Sequence, residues 1–348
     1  MELKNEYWKT GLDDIEKTIR ELKKGKVSMQ GKSAGGRHIE LIEYGVKNDL
    51  KRTANLSSAL GAKSKVFYAD KAAKEYRPTL LLVGGIHGGE VEGVAALLNL
   101  INILETGVDL KGERNDFLYE SVKRVNILII PCINPDGRSR FPFESMVGKT
   151  LDELRYYNQG TWKDGSLCGW PGCKQKHPIK EHCDFLGAYF NDDGVNLMHD
   201  DFFGKKASET QFLFDAVNEY SPDFTILLHG AGYTANAVLK PAYAPDAVKE
   251  KIVALEHTIK LRCDEEDICY FITSADVGEN KSTPCSFNLV SAIYHHCGEP
   301  CVTYESNQGV EADKGFKLTY EQMHRSHIIL FEQTIKHIEE KERKGDEN

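Results

Sequence analysis

Blocks of apolar residues divide the chain into predicted strands and helices. Residues 80–83 and 125–130 are short apolar runs closed by glycine or proline, which is typical of buried strands. Residues 91–104 and 208–220 read as amphipathic helices. Further helices are predicted at 11–24, 247–262, 287–295 and 320–341, and further strands within 31–45 and at 223–228, 268–272 and 301–304. Because strands alternate with helices, the pattern predicts an α/β fold with a mixed, largely parallel sheet.

Residues 138–206 lack this periodicity, since aromatics, glycines, charges and cysteines mix there. A long irregular stretch inside a compact domain is usually a functional loop region. The absence of an internal repeat or a proline-rich linker predicts one catalytic domain over residues 1–348. Residues 1–30 are expected to form an N-terminal helical extension, and residues 341–348 a charged, frayed tail.

Chemically active side chains follow three of the predicted strands. His87 and Glu90 come after a glycine pair that closes the first strand. His229 ends a second strand and Glu305 ends a third. The carboxyl ends of parallel strands meet at one edge of a sheet, where open α/β sheets bind ligands. Two imidazoles and one carboxylate suit zinc and leave its fourth coordination position open, as in catalytic sites.

The sequence therefore predicts one Zn²⁺ held by His87, Glu90 and His229, with Glu305 as general base and not as a ligand. His-x-x-Glu alone is a weak signal, because a turn histidine and a helix N-terminal acid produce it by chance. The matching strand ends at His229 and Glu305 favour the metal site.

In five motifs that occur in the right order, the chain resembles the zinc carboxypeptidases of the carboxypeptidase A type. Residues 31–37 resemble the family's G-x-S-x-x-G-R motif, 87–90 its H-x-x-E zinc motif and 134–137 its N-P-D-G turn. His229 stands where the family has its third zinc ligand, and Glu305 where it has its catalytic glutamate. The resemblance implies a mixed eight-stranded sheet flanked by helices, and a hydrolase that acts on peptides.

One segment departs from the family pattern. The family usually has G-V-D-L-N-R, whose Asn-Arg pair holds the substrate's terminal carboxylate, whereas residues 194–199 read G-V-N-L-M-H. Asn196 can still accept an N–H from a zinc histidine. His199 replaces a permanent guanidinium by an imidazole that is mostly neutral at pH 7. We therefore expect altered carboxylate recognition, in which His199 binds a carboxylate only when protonated or another residue takes over that role.

An arginine is still expected to stabilise the developing oxyanion. The candidates are Arg138, Arg140 and Arg155, and the distance from the N-P-D-G turn favours Arg140. Arg138 and Arg155 are, with His199, the candidate substrate-binding residues.

The cysteines allow several interpretations. Cys168, Cys173, His177 and Cys183 have a spacing that could hold a structural zinc, although a disulfide or plain loop cysteines are the preferred interpretation. Buried free thiols are predicted for four isolated cysteines, Cys132, Cys263, Cys269 and Cys285. The odd total of nine favours a reducing compartment.

Composition narrows the class of protein. The 53 acidic residues outnumber the 44 basic ones, giving a net charge of -9, which argues against general binding to nucleic acid or anionic membranes. The N-terminus does not read as a signal peptide, so a cytoplasmic enzyme is expected. The sequence leaves the oligomeric state open.

The leading hypothesis is a zinc metallopeptidase of carboxypeptidase type. A zinc deacylase acting on a small acyl-amino acid or cell-wall-type peptide is an alternative, because residues 198–199 are altered. A non-catalytic peptide- or carbohydrate-binding relative is the third hypothesis, and an intact Glu305 argues against it because a pure binder needs no base.

Overall fold

The computed structural model of the chain describes residues 5–273 and 287–345. Its α-helices are α1 (Leu12–Arg20), α2 (Leu56–Gly61), α3 (Glu92–Thr106), α4 (Asp116–Ser121), α5 (Pro135–Arg140), α6 (Leu151–Leu154), α7 (Ser208–Tyr220), α8 (Asp246–Glu265), α9 (Leu289–Cys297) and α10 (Tyr320–Gly345). The strands are β1 (Lys26–Lys32), β2 (His38–Tyr44), β3 (Thr79–Val83), β4 (Asn126–Ile130), β5 (Thr161–Trp162), β6 (Cys183–Phe185), β7 (Phe224–Gly230), β8 (Asn236–Leu239), β9 (Tyr270–Phe271) and β10 (Cys301–Ser306).

Eight strands of the described chain form one mixed sheet, in the order β1-β2-β4-β3-β7-β10-β8-β9. The central strands β4, β3, β7 and β10 are parallel to one another. Strands β2 and β8 join this centre in antiparallel pairings, and β5 and β6 form a separate ribbon. The predicted α/β fold with a mixed, largely parallel eight-stranded sheet is confirmed.

Helices cover both faces of the sheet, because successive residues of a strand point to opposite sides. In β3, Leu80 and Leu82 belong to a core cluster with residues of α3, α8 and α10, whereas Leu81 and Val83 belong to a cluster with residues of α7 and α9. All five residues of β3 are buried, which explains the unbroken apolar run in the sequence.

The N-terminal boundary differs from the prediction. Helix α1 ends at Arg20, and β1 begins at Lys26, inside the range 1–30 that was predicted as a helical extension. Strand β1 pairs with β2 at the sheet edge and buries none of its side chains fully. An edge strand needs little apolar alternation, so its sequence carried no strand signal. At the other end, α10 continues to Gly345, within the predicted tail.

Residues 138–206 form only short elements, among them α6, a π-helical turn at Arg155–Gln159 and the β5–β6 ribbon. Several of their side chains line a cavity beside the carboxyl ends of the central strands. Within residues 5–273 and 287–345, none of the helices combines the length and apolar character needed to cross a membrane.

Candidate active site

Three neighbouring parallel strands bring the predicted residues to one edge of the sheet. Strand β7 lies between β3 and β10. His229 on β7 is directly opposite Glu305 on β10 in the strand register. His87 follows β3 through a glycine turn, in which Gly85 has a φ of +60° that favours glycine. The strand ends therefore meet as the sequence predicts.

The N-P-D-G segment supports the turn that carries His87. Asn134 caps helix α5 by accepting the N–H of Gly137 at 2.9 Å, and its side-chain amide donates to the carbonyl of Ile86 at 3.2 Å. A Cβ atom at Gly88 would lie 2.0 Å from the backbone nitrogen of Arg138, so the turn and α5 are packed backbone to backbone. This close packing positions His87.

His87, Glu90 and His229 are the group of potential metal ligands found among the described residues, with ligand atoms within 4.8 Å of one another. Glu90 Oε1 lies 2.8 Å from Nδ1 of His87, and Glu90 Oε2 lies 2.9 Å from Nδ1 of His229. All three side chains are buried. The carboxylate thus stands between two imidazole nitrogens, the donor set that zinc prefers.

The electrostatics of the cluster favour a bound cation. Burial alone would raise the pKa of Glu90, but His87 and His229 hold that pKa well below its usual range. Burial would lower the pKa of His229, whereas Glu90 raises it overall. Nε2 of His229 is buried without a hydrogen-bond partner among the described residues. The donor atoms and their charges fit a zinc ion.

His87 is held in place from its outer side. Its Nε2 lies 3.1 Å from Oδ1 of Asn196, and its ring stacks on Tyr189 with 4.0 Å between ring centres. Asn196 also accepts the backbone N–H of Met198 at 3.0 Å, which fixes its amide. An acceptor for the outer nitrogen of a ligating histidine sets its tautomer and orientation, and a neutral amide can serve in this role.

Glu305 makes no hydrogen bond or ion pair with any residue in the ranges 5–273 and 287–345. Burial and the nearby Glu90 raise the pKa of Glu305 to about 7, against the lowering effect of His229 and Lys174. A carboxylate with a pKa near neutrality can both accept and release a proton.

The cavity over these residues has a volume of about 560 Å³, within the usual range of ligand sites. Besides the four residues above, its lining includes Leu154, Arg155, Gln159, Trp170, Lys174, Tyr189, Asn196, Met198, His199, Tyr233, Leu239, Asn288, Thr303 and Gln308. Nine of these fourteen residues come from the irregular region 138–206, so that region does serve the site.

The structure separates the three candidate arginines. Arg138 donates to the carbonyls of Thr10 at 2.8 Å and Phe141 at 2.9 Å, and Arg140 pairs with Asp192. Neither lines the cavity. Their predicted roles, oxyanion binding by Arg140 and substrate binding by Arg138, are corrected: Arg138 is buried, Arg140 is half-buried, and the fixed partners of both guanidinium groups join loop segments.

Arg155 is the candidate arginine that does line the cavity. It starts the π-helical turn and makes one long contact, 3.4 Å, with Asp152 on the surface. The adjacent tyrosines serve packing, since Tyr156 stacks on Phe185 and Tyr157 packs edge-on against Phe143.

His199 lines the cavity as expected, but its charge differs from what a carboxylate needs. Burial, the ammonium of Lys174 and nearby histidines lower the pKa of His199 to about 3. The imidazole is therefore neutral at ordinary pH, and binding of a carboxylate by protonated His199 is not supported. Lys174, which the sequence reasoning missed, is a cation in the same cavity.

Among the described residues, Cys168, Cys173, His177 and Cys183 do not bring three ligand atoms within 4.8 Å of one another, so the structure does not assemble the second zinc site that their spacing allows. His177 Nε2 accepts the backbone N–H of Asn196 at 2.8 Å. The three cysteines are free and belong to an apolar cluster with Ile179 and Phe190, so the disulfide is not formed either. Of the isolated cysteines, Cys132 and Cys263 are buried, Cys269 is half-buried, and Cys285 lies outside the described residues.

An eight-stranded mixed sheet with a buried His-Glu-His group at the carboxyl ends of its parallel strands is the architecture of metallocarboxypeptidases. The sequence profile of the zinc carboxypeptidase family matches residues 15–236, and the chain belongs to this family.

Solved structures of metallocarboxypeptidases share the fold. The enzyme from Burkholderia cenocepacia aligns with a TM-score of 0.58 at 15% identity, covering 94% of this chain and 68% of that one. Thrombin activatable fibrinolysis inhibitor aligns with a TM-score of 0.56 at 11% identity, covering 97% of this chain and 79% of that one. The enzyme from Pseudomonas aeruginosa, solved with (2-guanidinoethylmercapto)succinic acid, aligns with a TM-score of 0.55 at 13% identity. This alignment covers 93% of this chain and 66% of that one.

Among curated proteins, carboxypeptidase D of Mus musculus is 37% identical over 73 residues, and that of Rattus norvegicus is 36% identical over the same length. The match covers 21% of this chain and 5% of each relative. The aligned segment is therefore a small part of each of these longer proteins.

Proposed function

We propose that this protein is a zinc-dependent metallocarboxypeptidase that hydrolyses the terminal peptide bond of a peptide substrate. Family membership supports a metallopeptidase, and one observation carries the proposal further. The His87–Glu90–His229 group shares its cavity with Glu305, a carboxylate without a protein partner among the described residues.

Zinc bound by these three residues would act as a Lewis acid that polarises the scissile carbonyl and lowers the pKa of water to roughly 7. Glu305 takes the proton of the attacking water and passes it to the leaving amine. Arg155 holds the negative charge that develops on the carbonyl oxygen. Asn196 and Tyr189 keep the ring of His87 in position.

The second candidate function is a zinc deacylase for small acyl-amino acids. The neutral His199 cannot supply the carboxylate contact of the usual arginine, so it favours a deacylase where the small amide substrate has no free carboxylate at that point. The two functions differ in the product: a carboxypeptidase releases the terminal residue of peptides of several lengths, and a deacylase releases an acyl group from one amino acid. The third hypothesis, a non-catalytic relative, predicts binding without turnover.

Turnover by the zinc-loaded protein tests these candidates on peptides of two to six residues and on N-acyl amino acids. Glu305→Gln should retain zinc but lose roughly 10²–10⁴-fold in kcat, because the general base is removed. Glu311→Gln is the matched control, since Glu311 is exposed and pairs with Lys317. Cleavage of acyl-amino acids alone would favour the deacylase, and loss of zinc from Glu305→Gln would make Glu305 a ligand.

We also propose a cytoplasmic location. The eight cysteines in the described part of the chain are all free, which agrees with a reducing compartment. Fractionation of cells that express the protein tests this location.

A further inference from the structure

A substrate with a free terminal carboxylate brings a negative charge into this cavity, which already contains Glu305. An unpaired charge in a partly desolvated site is costly, so such a substrate needs a cation close to its carboxylate. His199, at the position of the family's arginine, is neutral. The cation must therefore come from another residue.

Within the part of the chain that the structure describes, Arg155 and Lys174 are the arginine and lysine side chains that line the cavity, and burial lowers the pKa of Lys174 below its usual value. Arg155 has a carboxylate neighbour, Asp152, at 3.4 Å. Lys174 has no hydrogen-bond acceptor and no ion-pair partner in the described residues, and its Nζ lies 5.2 Å from the ring centre of Trp170. The positive charge of Lys174 acts to lower the pKa values of His199, Glu305 and His229, which line the same cavity.

The loop around Lys174 holds this lysine at the cavity. Cys173, the preceding residue, is 1% exposed and packs in the apolar cluster of Cys168, Ile179 and Phe190. Its backbone N–H donates to the carbonyl of Gly169 at 2.7 Å. The buried cysteines of this segment thus anchor a short turn, Gly172–Lys174, and the exposed side chain of Lys174 lines the cavity.

We infer that Lys174 binds the terminal carboxylate of the substrate, in place of the arginine that this chain lacks. The inference rests on the proposed carboxypeptidase function and names the residue that selects free peptide ends. A single ammonium on a flexible stem binds a carboxylate as a point charge and not bidentately, so it tolerates more variation in the position of that carboxylate. Arg155 remains available for the oxyanion.

Equilibrium binding tests this role independently of turnover. In the zinc-loaded Glu305→Gln protein, calorimetry compares an N-blocked dipeptide that has a free carboxylate with its terminal amide. We expect the acid to bind roughly 10- to 100-fold more tightly, and Lys174→Met to remove this preference while leaving amide binding unchanged. Lys174→Arg should keep part of it. Lys176→Met is the matched control, because Lys176 is an exposed lysine of the same segment outside the cavity lining.

Four results would overturn the inference. The preference could survive Lys174→Met, which would place the carboxylate contact elsewhere, or the parent could show no preference. Equal weakening of acid and amide, or an equal loss of kcat on both in the otherwise wild-type protein, would instead indicate a structural or an oxyanion role. Failure of the proposed function is distinguishable, since it appears as an inactive zinc-loaded wild type whatever the binding preference.

Discussion

Glu90 contacts both histidines of the cluster, one through each carboxylate oxygen, and its Oε2 also accepts the backbone N–H of Gly230 at 3.1 Å. A single residue thereby links the turn after β3 to the end of β7. The same three side chains that would bind zinc hold these two strand ends together.

His229→Ala should abolish zinc binding and activity together, because two remaining ligands do not make a stable site. Elemental analysis of the purified variant measures the metal content. His38→Ala, a histidine exposed on β2, is the control and should keep one zinc per chain. Full zinc occupancy in the His229 variant would contradict the assignment.

Asp136 of the N-P-D-G segment joins three distant parts of the chain. It accepts hydrogen bonds from Ser33 at 2.6 Å, the Gly35 N–H at 2.8 Å, Arg37 at 2.8 Å and the Asp192 N–H at 3.1 Å. Burial would raise the pKa of Asp136, but these hydrogen bonds lower it. The G-x-S-x-x-G-R and N-P-D-G motifs are therefore parts of one hydrogen-bonded assembly.

Asp136→Asn should lower the free energy of unfolding at pH 7 by roughly 1.5–3 kcal/mol, since charge-assisted hydrogen bonds are lost. The pKa of Asp136 is lower in the folded state than its unfolded value of about 3.9, so its contribution is present above that value and is lost as the pH falls through the folded pKa. Urea denaturation from pH 2 to 7 should show a shallower acid slope in the variant. Asp116→Asn, at an exposed ion pair with Arg114, should change little.

At the scale of elements, the site depends on how closely the His87 turn packs on helix α5. The three heavy atoms nearest to a Cβ atom at Gly88 would all be backbone atoms: the nitrogen of Arg138 at 2.0 Å, and the carbonyl carbon and Cα of Gly137 at 2.1 Å and 2.7 Å. None of them belongs to a flexible side chain that could move aside. Backbone must shift to admit it, and the shift would displace His87.

Gly88→Ala should therefore destabilise the protein by about 1–3 kcal/mol and weaken zinc binding. Gly61→Ala is a suitable control, because nothing lies within 4 Å of a Cβ there and alanine favours the end of helix α2. Thermal unfolding and zinc titration measure the two effects. Equal behaviour of both variants would mean that the turn adapts without cost.

At the scale of the whole molecule, the two apolar clusters that flank the sheet form the core, and the metal ligands lie at its edge. Because the ligands lie outside these clusters, we expect the core to form without the ion. Binding of zinc to the folded state alone then adds stability in proportion to ligand concentration.

Removal of zinc with a chelator should lower the melting temperature reversibly and leave the far-ultraviolet circular dichroism unchanged. When free zinc is at a thousand times its Kd, binding to the folded state raises the free energy of unfolding by about 4 kcal/mol. The melting temperature of His229→Ala should not respond to zinc. A collapse of the secondary structure on chelation would show that the sheet needs the metal.

Much of the architecture could be predicted from local pattern. Strand β3 and helices α3 and α7 lie within two residues of their predicted bounds, because wholly apolar runs and amphipathic periods report burial directly. Short or edge elements such as α2, α4, β1 and β8 were missed. The spacing of apolar residues in these segments shows little helix or strand periodicity, and their conformation depends on neighbours far away in the chain.

The sequence by itself determined the fold class and the candidate metal group, because strand-end histidines and carboxylates must meet when parallel strands align. Only the tertiary structure decided the remainder of the cavity. Arg138 and Arg140 turn to backbone carbonyls and Asp192, while Lys174 reaches the site from a segment whose cysteines resembled a metal motif. Irregular loops carry no period, so the direction of their side chains is set by long-range packing and by the partners that buried charges require.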